Sequence, residues 1–127
     1  MFTSLDVLQT AMNMARHAGS RQAVTAANLA NADTPGYRAR SIAPFSEIYE
    51  TSSAESLRRT RPGHLGVDTG AATATAEFSD SEPAPNGNSV SIEQEILNAV
   101  EIQREHNRAL TIYKHSLEVL RLSLGRR

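Results

Sequence analysis

The sequence predicts a mainly α-helical fold, in which long N- and C-terminal helices pair as a coiled coil around an irregular, loop-rich middle with room for a short β-hairpin. Two observations predict it. Apolar residues recur at helical spacing at both ends of the chain, and the middle holds all five prolines and five of the seven glycines. The expected organisation is an N-terminal helix over 1–33, a turn and irregular segment over 34–88, and a C-terminal helix over 89–127.

The N-terminal helix is predicted from a stretch, residues 4–32, that contains no proline and a single glycine, Gly19. Alternating steps of three and four place one stripe of residues on a single helix face, as in the seam of a coiled coil. That seam comprises Leu5, Leu8, Met12, Ala15, Gly19, Gln22, Ala26 and Leu29. Its first half carries large side chains and its second half small or polar ones, so a second helix is expected to approach closely there.

The C-terminal helix is predicted over residues 91–124, with the same spacing. Its seam comprises Ile96, Ala99, Gln103, His106, Leu110, Tyr113, Leu117, Leu120 and Leu124. Ser91 and Gln94 have the spacing of a capping box, and Gly125 is placed to end the helix. Glu105 is expected on the outer face beside Arg108. Both seams need a partner, and an ordinary antiparallel helical hairpin accounts for the periodicity as well as a coiled coil does.

The composition argues against a self-sufficient compact globule. Only 39% of the residues are apolar, and the chain has no Trp and no Cys. A small core without disulfides usually needs a metal or a partner subunit, which favours oligomerisation. The net charge of −1 offers no basic field for nucleic acid or an anionic membrane. No apolar run is long enough for a transmembrane helix, and the N-terminus lacks the features of a cleaved secretory signal.

No catalytic constellation is visible. The chain's four histidines, His17, His64, His106 and His115, show no metal-ligand spacing. A membrane-surface helix is also disfavoured, because the polar face of the C-terminal helix mixes both signs of charge. We therefore expect no catalytic residue, no metal, no cofactor and no small-molecule substrate.

A polar segment separates the first helix from the middle. Pro35 restricts Thr34 to extended conformations, so the helix should end at or before Asp33. Pro35 and Gly36 suit the two central positions of a type II turn. Asn28 and Asn31 share a helix face just before it, and Tyr37 follows it as an aromatic anchor with a polar tip. A helix that merely exits through a Pro-Gly turn would not explain the two asparagines.

These residues resemble a known signature. The run reads Asn28-Leu29-Ala30-Asn31-Ala32-Asp33-Thr34-Pro35-Gly36-Tyr37. It is similar to the N-terminal motif of flagellar basal-body rod and hook proteins. The following Arg38-Ala39-Arg40 and the short middle most resemble the proximal rod proteins, because hook and distal rod relatives carry longer insertions. Two further segments, residues 59–65 and 86–90, are similar to the centre of those proteins and to the entry of their C-terminal helix. Leu29 and Ser41 depart from the commoner Ile and acidic residue.

The resemblance implies a structural subunit, not an enzyme. It implies helical assembly into the rod with other copies of the chain and other rod proteins, torque transmission, and terminal helices that line the export channel. Implied partners also include the basal adaptor, the membrane ring and the export gate. The implied location is the periplasmic rod of the flagellar basal body, reached through the flagellar type III apparatus without a cleaved signal peptide. Asn28, Asn31, Thr34, Pro35, Gly36 and Tyr37 are the expected assembly signature.

Periodicity alone leaves another function open. A soluble helical adaptor or export chaperone that binds partner helices would show the same amphipathic ends. Only the turn signature separates such a protein from a rod subunit, because a chaperone has no need of an Asn-x-x-Asn-x-x-Thr-Pro-Gly-Tyr exit.

Overall fold

A computed structural model describes residues 2–54 and 75–125 of the chain, with side chains placed over 5–49 and 75–125. Five elements follow one another: α1 (Phe2–Ala30), β1 (Arg40–Ser41), α2 (Phe45–Ala54), β2 (Glu77–Phe78) and α3 (Ile92–Ser123). The fold is mainly helical, as predicted, with the two long terminal helices packed against each other. The sequence also allows a short strand near residues 57–59, which lie outside the described residues.

The helices α1 and α3 are antiparallel. Arg21 contacts Glu105, whereas Asn28, further along α1, contacts Glu95, which lies earlier in α3. Residues buried between the helices recur at intervals of seven, the repeat expected of a coiled-coil contact. They are Ala11, Ala18 and Thr25 on α1, and Glu95, Ile102, Ala109 and Ser116 on α3. Most of these side chains are small, which lets the two backbones approach closely.

The contact within the chain differs from the predicted seam by one residue on each helix. Leu5, Met12, Leu29, Ile96 and Leu110, all predicted seam residues, are between 38% and 53% exposed. Leu8, Leu117 and Leu120 are half-buried. One residue is about 100° of rotation on a helix, so the predicted stripes lie beside the contact. The small residues and the polar pairs set this rotation, and periodicity alone cannot detect either.

The middle contains one short sheet and one helix. β1 and β2 are antiparallel, with Arg40 opposite Phe78 and Ser41 opposite Glu77. This agrees with the expected small β element, although the two strands are far apart in sequence. The helix α2 was not predicted, because Pro44 and the serines around it indicated a loop. Its first turn forms on the Pro44 carbonyl, which accepts from the amides of Glu47 and Ile48.

The C-terminal end of α3 forms as predicted, whereas the capping box at its N-terminus forms only in part, because the Gln94 side chain donates to Asn98 at 3.2 Å. The Ser91 side chain accepts from the Gln94 amide at the N-terminus. At the other end Gly125 adopts a φ of +66° and its amide bonds the Leu122 carbonyl. Over residues 2–54 and 75–125, no helix is both long and apolar enough to cross a membrane.

Candidate functional site

The exit of α1 and the approach to α3 are held together at one end of the helix pair. We call residues 28–40 and 86–95 the helix-exit clasp. The predicted turn is confirmed at its centre: the Tyr37 amide donates to the Thr34 carbonyl at 3.3 Å, and Gly36 has a φ of +72°. Only glycine adopts this conformation without strain. The chain therefore leaves α1 by a sharp reversal that begins directly after Ala30.

Asn28 is the buried centre of the clasp, with 1% of its surface exposed. Its Nδ2 donates to the Arg40 carbonyl at 2.7 Å and to Oε1 of Glu95 at 3.0 Å. Its Oδ1 accepts from the Arg40 amide at 3.1 Å and from the Tyr37 hydroxyl at 3.3 Å. An amide side chain has two donor hydrogens and one oxygen with two lone pairs. All are used, so an amide of this size is required here.

Asn31 plays a lesser part, on the edge of α1. Its Nδ2 donates to the Ala27 carbonyl at 2.8 Å, and its Oδ1 accepts from the Thr34 hydroxyl at 3.2 Å. Both partners belong to the same helix end. The two asparagines of the signature therefore differ: Asn28 joins separate elements, and Asn31 shapes the last turn.

Asn88 was missed as a site residue in the sequence. Its Nδ2 lies 3.0, 2.7 and 2.9 Å from the carbonyl oxygens of Asn31, Ala32 and Thr34. Those carbonyls follow the end of α1, where backbone acceptors have no partner within the helix. Its Oδ1 accepts from the Val90 amide at 2.7 Å. Carbonyls near a helix end need donors from outside the helix, but sequence could not show that one comes from a segment so distant along the chain.

Gly36 and Gly87 lie close together where the two segments of the clasp meet. The Gly36 amide donates to the Asn86 carbonyl at 3.0 Å. Gly87 has a φ of +78°, and a Cβ added to it would lie 3.3 Å from the Gly36 Cα. The family-like segment before α3 is thus built to fit the Pro-Gly turn.

Ser89 completes the connection. Its amide donates to the Tyr37 carbonyl at 3.1 Å, and its Oγ accepts from the Ala39 amide at 2.9 Å. Ser81 in turn donates to the Ser89 carbonyl at 3.0 Å. The stretch before α3 belongs to the segment predicted to be irregular, and from Ser79 onwards it is bonded to the clasp.

Glu95 lies in the first turn of α3, yet it is only 8% exposed and faces α1. One carboxylate oxygen accepts from Asn28, and the other has no hydrogen-bond partner among the described residues. Burying a carboxylate is costly unless it is hydrogen-bonded, so Glu95 depends on Asn28.

A second polar cluster lies further along the helix pair. Arg21 Nη1 is 2.7 Å from Glu105 Oε2, so Glu105 faces α1 and not the outer face predicted for it. His17 is buried beside this pair, with its ring centroid 5.6 Å from that of Phe45. Burial lowers the pKa of His17 below its ordinary value, and Arg21 lowers that pKa further, while Glu105 and the Ala43 backbone oppose the shift.

Neither cluster has the makings of a catalytic centre. Within the described ranges, no three His, Cys, Asp or Glu side chains are grouped so that they could hold a metal ion. The buried polar side chains of the clasp, those of Asn28, Asn88, Ser89 and Glu95, each bond another part of the same chain. The arrangement holds helix ends together and leaves apolar helix faces outward. These features are typical of a structural protein that binds other proteins through its surface.

Comparison with known proteins agrees with this class. Residues 5–38 match the family model described as flagella basal body rod protein. The flagellar basal body rod protein FlgB of Agrobacterium fabrum (strain C58) is 27% identical, over 96% of this chain and 95% of the relative. FlgB of Escherichia coli (strain K12) is 34% identical, over 72% of this chain and 75% of the relative, and FlgB of Shigella flexneri matches to the same extent. The chain belongs to the flagellar basal body rod protein family.

Membership in this family confirms the resemblance found in the sequence. The family is structural and not enzymatic, and its members are components of the flagellar basal body. The matched segment runs from Leu5 to Arg38, so it contains α1 from Leu5 onwards and the Pro-Gly turn.

Proposed function

We propose that this chain is a subunit of the proximal part of the flagellar rod, where it assembles helically with copies of itself and other rod proteins. In this role it transmits torque towards the hook, and its terminal helices line the export channel. We further propose that it reaches the periplasmic rod through the flagellar type III apparatus. The basal adaptor, the membrane ring and the export gate are its proposed neighbours beyond the rod.

The observation that carries this proposal is the pair of apolar faces left open in the single chain. The predicted seam residues Leu5, Leu29, Ile96 and Leu110 are all exposed. Further large apolar side chains on α3 are exposed as well, namely Leu97, Val100, Ile112, Val119 and Leu122. Large contiguous apolar surfaces mark interaction sites. The seams predicted from the sequence are therefore proposed as contacts between subunits.

An open groove gives this surface a definite shape at the clasp end. It encloses about 420 Å³ and is lined by Leu29, Ile96, Ala99 and Val100, with Gln22, Gln103 and Arg104 at its margin. Glu95 also lines it. The exposed part of α1 near its N-terminus carries large apolar residues, and Gly19 has open space around it. These are different patches, and contacts between different patches give open helical assemblies.

The clasp supports assembly by fixing direction. The buried members, such as Asn28, hold the exit of α1 at one angle to α3. The exposed members, Pro35 and Gly36, are proposed to contact a neighbour at this fixed position. Asn31, Thr34 and Tyr37 complete the turn. A subunit that bears torque needs such a rigid junction, because a freely moving helix end would dissipate the applied rotation.

The experiment places charge in the groove. The double variant Leu29→Glu/Ile96→Glu is expressed in a normally motile bacterium whose own copy of the gene has been deleted, with Lys114→Glu on exposed α3 surface as the control. The double variant should fold with unchanged helicity, since both side chains are exposed, but should be absent from purified basal bodies and leave cells non-motile. The control should be incorporated.

Two results would count against the proposal. Full motility of the folded double variant would remove the groove from the assembly. Absence of the unaltered chain from purified basal bodies would exclude a rod subunit altogether and favour a soluble adaptor or chaperone.

A further inference from the structure

Two arginines and an aromatic ring form a cluster on the small sheet. Arg40 lies directly opposite Phe78 in the ladder, and Arg38 lies two residues before Arg40 and hence on the same side of the strand. The Cζ of Arg38 is 4.5 Å from the centroid of the Phe78 ring, and the Cζ of Arg40 is 5.4 Å from it. One ring therefore holds both guanidinium groups by cation–π contacts.

The cluster borders an open cleft beside the Pro-Gly turn. The cleft encloses about 460 Å³ and is lined by Gly36, Tyr37, Arg38, Arg40 and Phe78. Its floor is rigid, because Tyr37 and the Arg40 backbone are both bonded to the buried Asn28. Phe78 itself is 53% exposed, so the ring and the two cations are accessible to another molecule.

Neither guanidinium has an anionic partner in the described part of the chain. The acidic residues on either side of Phe78, Glu77 and Asp80, form no ion pair with them, whereas Arg21 on α1 is paired with Glu105 at 2.7 Å. A guanidinium that rests on an aromatic face keeps the N–H groups of its plane free. Two of those N–H groups can donate side by side to the two oxygens of one carboxylate.

We propose that this cleft, defined by Arg38, Arg40 and Phe78, receives an acidic side chain from a neighbouring subunit. The partner's carboxylate lies between the two guanidinium groups, and the carbon stem of its Asp or Glu packs on the exposed edge of Phe78. Charge complementarity selects this occupant, since two guanidinium groups meet at one ring without an anionic partner among the described residues. The proposal rests on the proposed function only in taking the neighbour to be a rod subunit.

The site has a geometric consequence for assembly. The cleft is fixed to the clasp, and the apolar groove lies on the helix pair. An ion pair in the cleft would therefore add a directional contact to a non-directional apolar one, and would select the register of the neighbour.

The test maps the occupant directly. A photo-crosslinking residue, p-benzoylphenylalanine, replaces Phe78 in the full chain, which is expressed in cells that lack the natural copy. Purified basal bodies are irradiated, and the crosslinked peptide is identified by mass spectrometry. We expect a peptide of a neighbouring rod subunit with an Asp or Glu within a few residues of the crosslink. A crosslink to a segment without acidic residues, to lipid or to nucleic acid would overturn the inference.

Charge variants supply the second arm. Arg38→Glu/Arg40→Glu should lower the crosslink yield at least tenfold, and replacing the mapped acidic residue by Arg should restore it. Arg38→Lys/Arg40→Lys, which keeps the charge but loses the paired N–H donors of the guanidinium groups, should lower the crosslink yield several-fold. The matched control Arg108→Glu/Arg121→Glu changes the same charge on exposed α3 positions and should leave the yield unchanged. An undiminished yield in the folded double Glu variant would overturn the inference.

The two proposals fail differently. If the unaltered chain is found in basal bodies but the variant with the crosslinking residue at position 78 crosslinks to a segment without acidic residues, only the carboxylate site is rejected. If the unaltered chain is missing from basal bodies, the proposed function is rejected, and with it the rod subunit as occupant.

Discussion

The buried residues between α1 and α3 differ in chemistry between the clasp and the middle of the helix pair. At the clasp, the buried residues other than Ala39 are polar: Asn28, Asn88, Ser89 and Glu95. Along the middle of the helix pair, the buried residues are mostly small, such as Ala11, Ala18 and Ala109. The first region is directional, because hydrogen bonds need defined atoms at defined distances. The second is permissive, because small side chains allow close approach at many rotations.

The difference explains why the large apolar side chains stay outside. Polar pairs at the clasp, together with Arg21–Glu105, fix the rotation of α1 against α3. That rotation turns the small residues inward and leaves Leu29, Ile96 and Leu110 at the surface. A contact that buried the leucines would gain more from the hydrophobic effect within one chain. It would also leave less apolar surface for neighbours.

The largest expected effect comes from removing the centre of the clasp. Asn28→Ala leaves the Glu95 carboxylate, the Arg40 backbone and the Tyr37 hydroxyl without their partner, and should lower the free energy of unfolding by about 3 kcal/mol. Urea titration followed by circular dichroism measures it. Asn31→Ala is the matched control and should cost less than about 1 kcal/mol, because its bonds lie within one exposed helix end. Equal effects of the two changes would contradict the central role of Asn28.

The next effect tests the small-residue contact. Ala109→Leu inserts a branched side chain at a fully buried position and should destabilise the chain by about 2 kcal/mol through overpacking. The neighbouring change Leu110→Ala removes an exposed side chain and should alter stability by less than about 0.5 kcal/mol. A contact centred on Leu110 would reverse this order, so the pair of variants tells the observed seam from the predicted one.

Replacement of glycine by alanine should change the free energy of unfolding in opposite directions at two positions. Gly87→Ala places a Cβ on a residue with φ of +78° and within 3.3 Å of the Gly36 Cα, and should cost about 1–2 kcal/mol. Gly19→Ala adds a methyl group in open space within α1 and should stabilise the isolated chain by about 1 kcal/mol. Thermal unfolding of both variants decides this; stabilisation by Gly87→Ala would disprove the strained crossing.

The smallest effect concerns pH. His17 has an ordinary pKa of 6.5 that burial lowers in the folded chain. As the pH falls below 6.5, the unfolded chain binds a proton that the folded chain still excludes, so the free energy of unfolding decreases. His17→Leu should remove this contribution. The loss of stability between pH 7.5 and pH 5.5 should be smaller in the variant than in the unaltered chain, by urea titration at each pH. An identical loss in both would show that His17 does not couple folding to pH.

Much of the architecture could be predicted from local chemistry. The two long helices, the Ser91 cap, the Gly125 stop and the Pro-Gly turn each follow from residues that are close together in sequence. The short helix α2 was missed because its pattern, Phe45 with Ile48 and Tyr49, is brief and lies among turn-forming residues. Helices this short take most of their stability from packing, and here Phe45 packs on His17.

The candidate site could be predicted only in part. The signature from Asn28 to Tyr37 marked the correct segment, and it identified the family. Its partners could not be found in the same way, because Asn88, Ser89 and Glu95 reach it only once the chain has folded back on itself. Nothing in the sequence distinguishes an asparagine that donates to three distant carbonyls from one that faces water.

By itself, the sequence determined where the two long helices begin and end, that each of these two has an apolar stripe, and that a sharp turn follows the first. These properties depend on backbone preferences and on side chains a few residues apart. Only the tertiary structure decided which stripe faces inward. The rotation of α1 against α3 depends on bonds such as Asn28–Glu95 and Arg21–Glu105, whose members are far apart in sequence. Those few polar contacts turn the small residues inward and leave much of the apolar seams exposed.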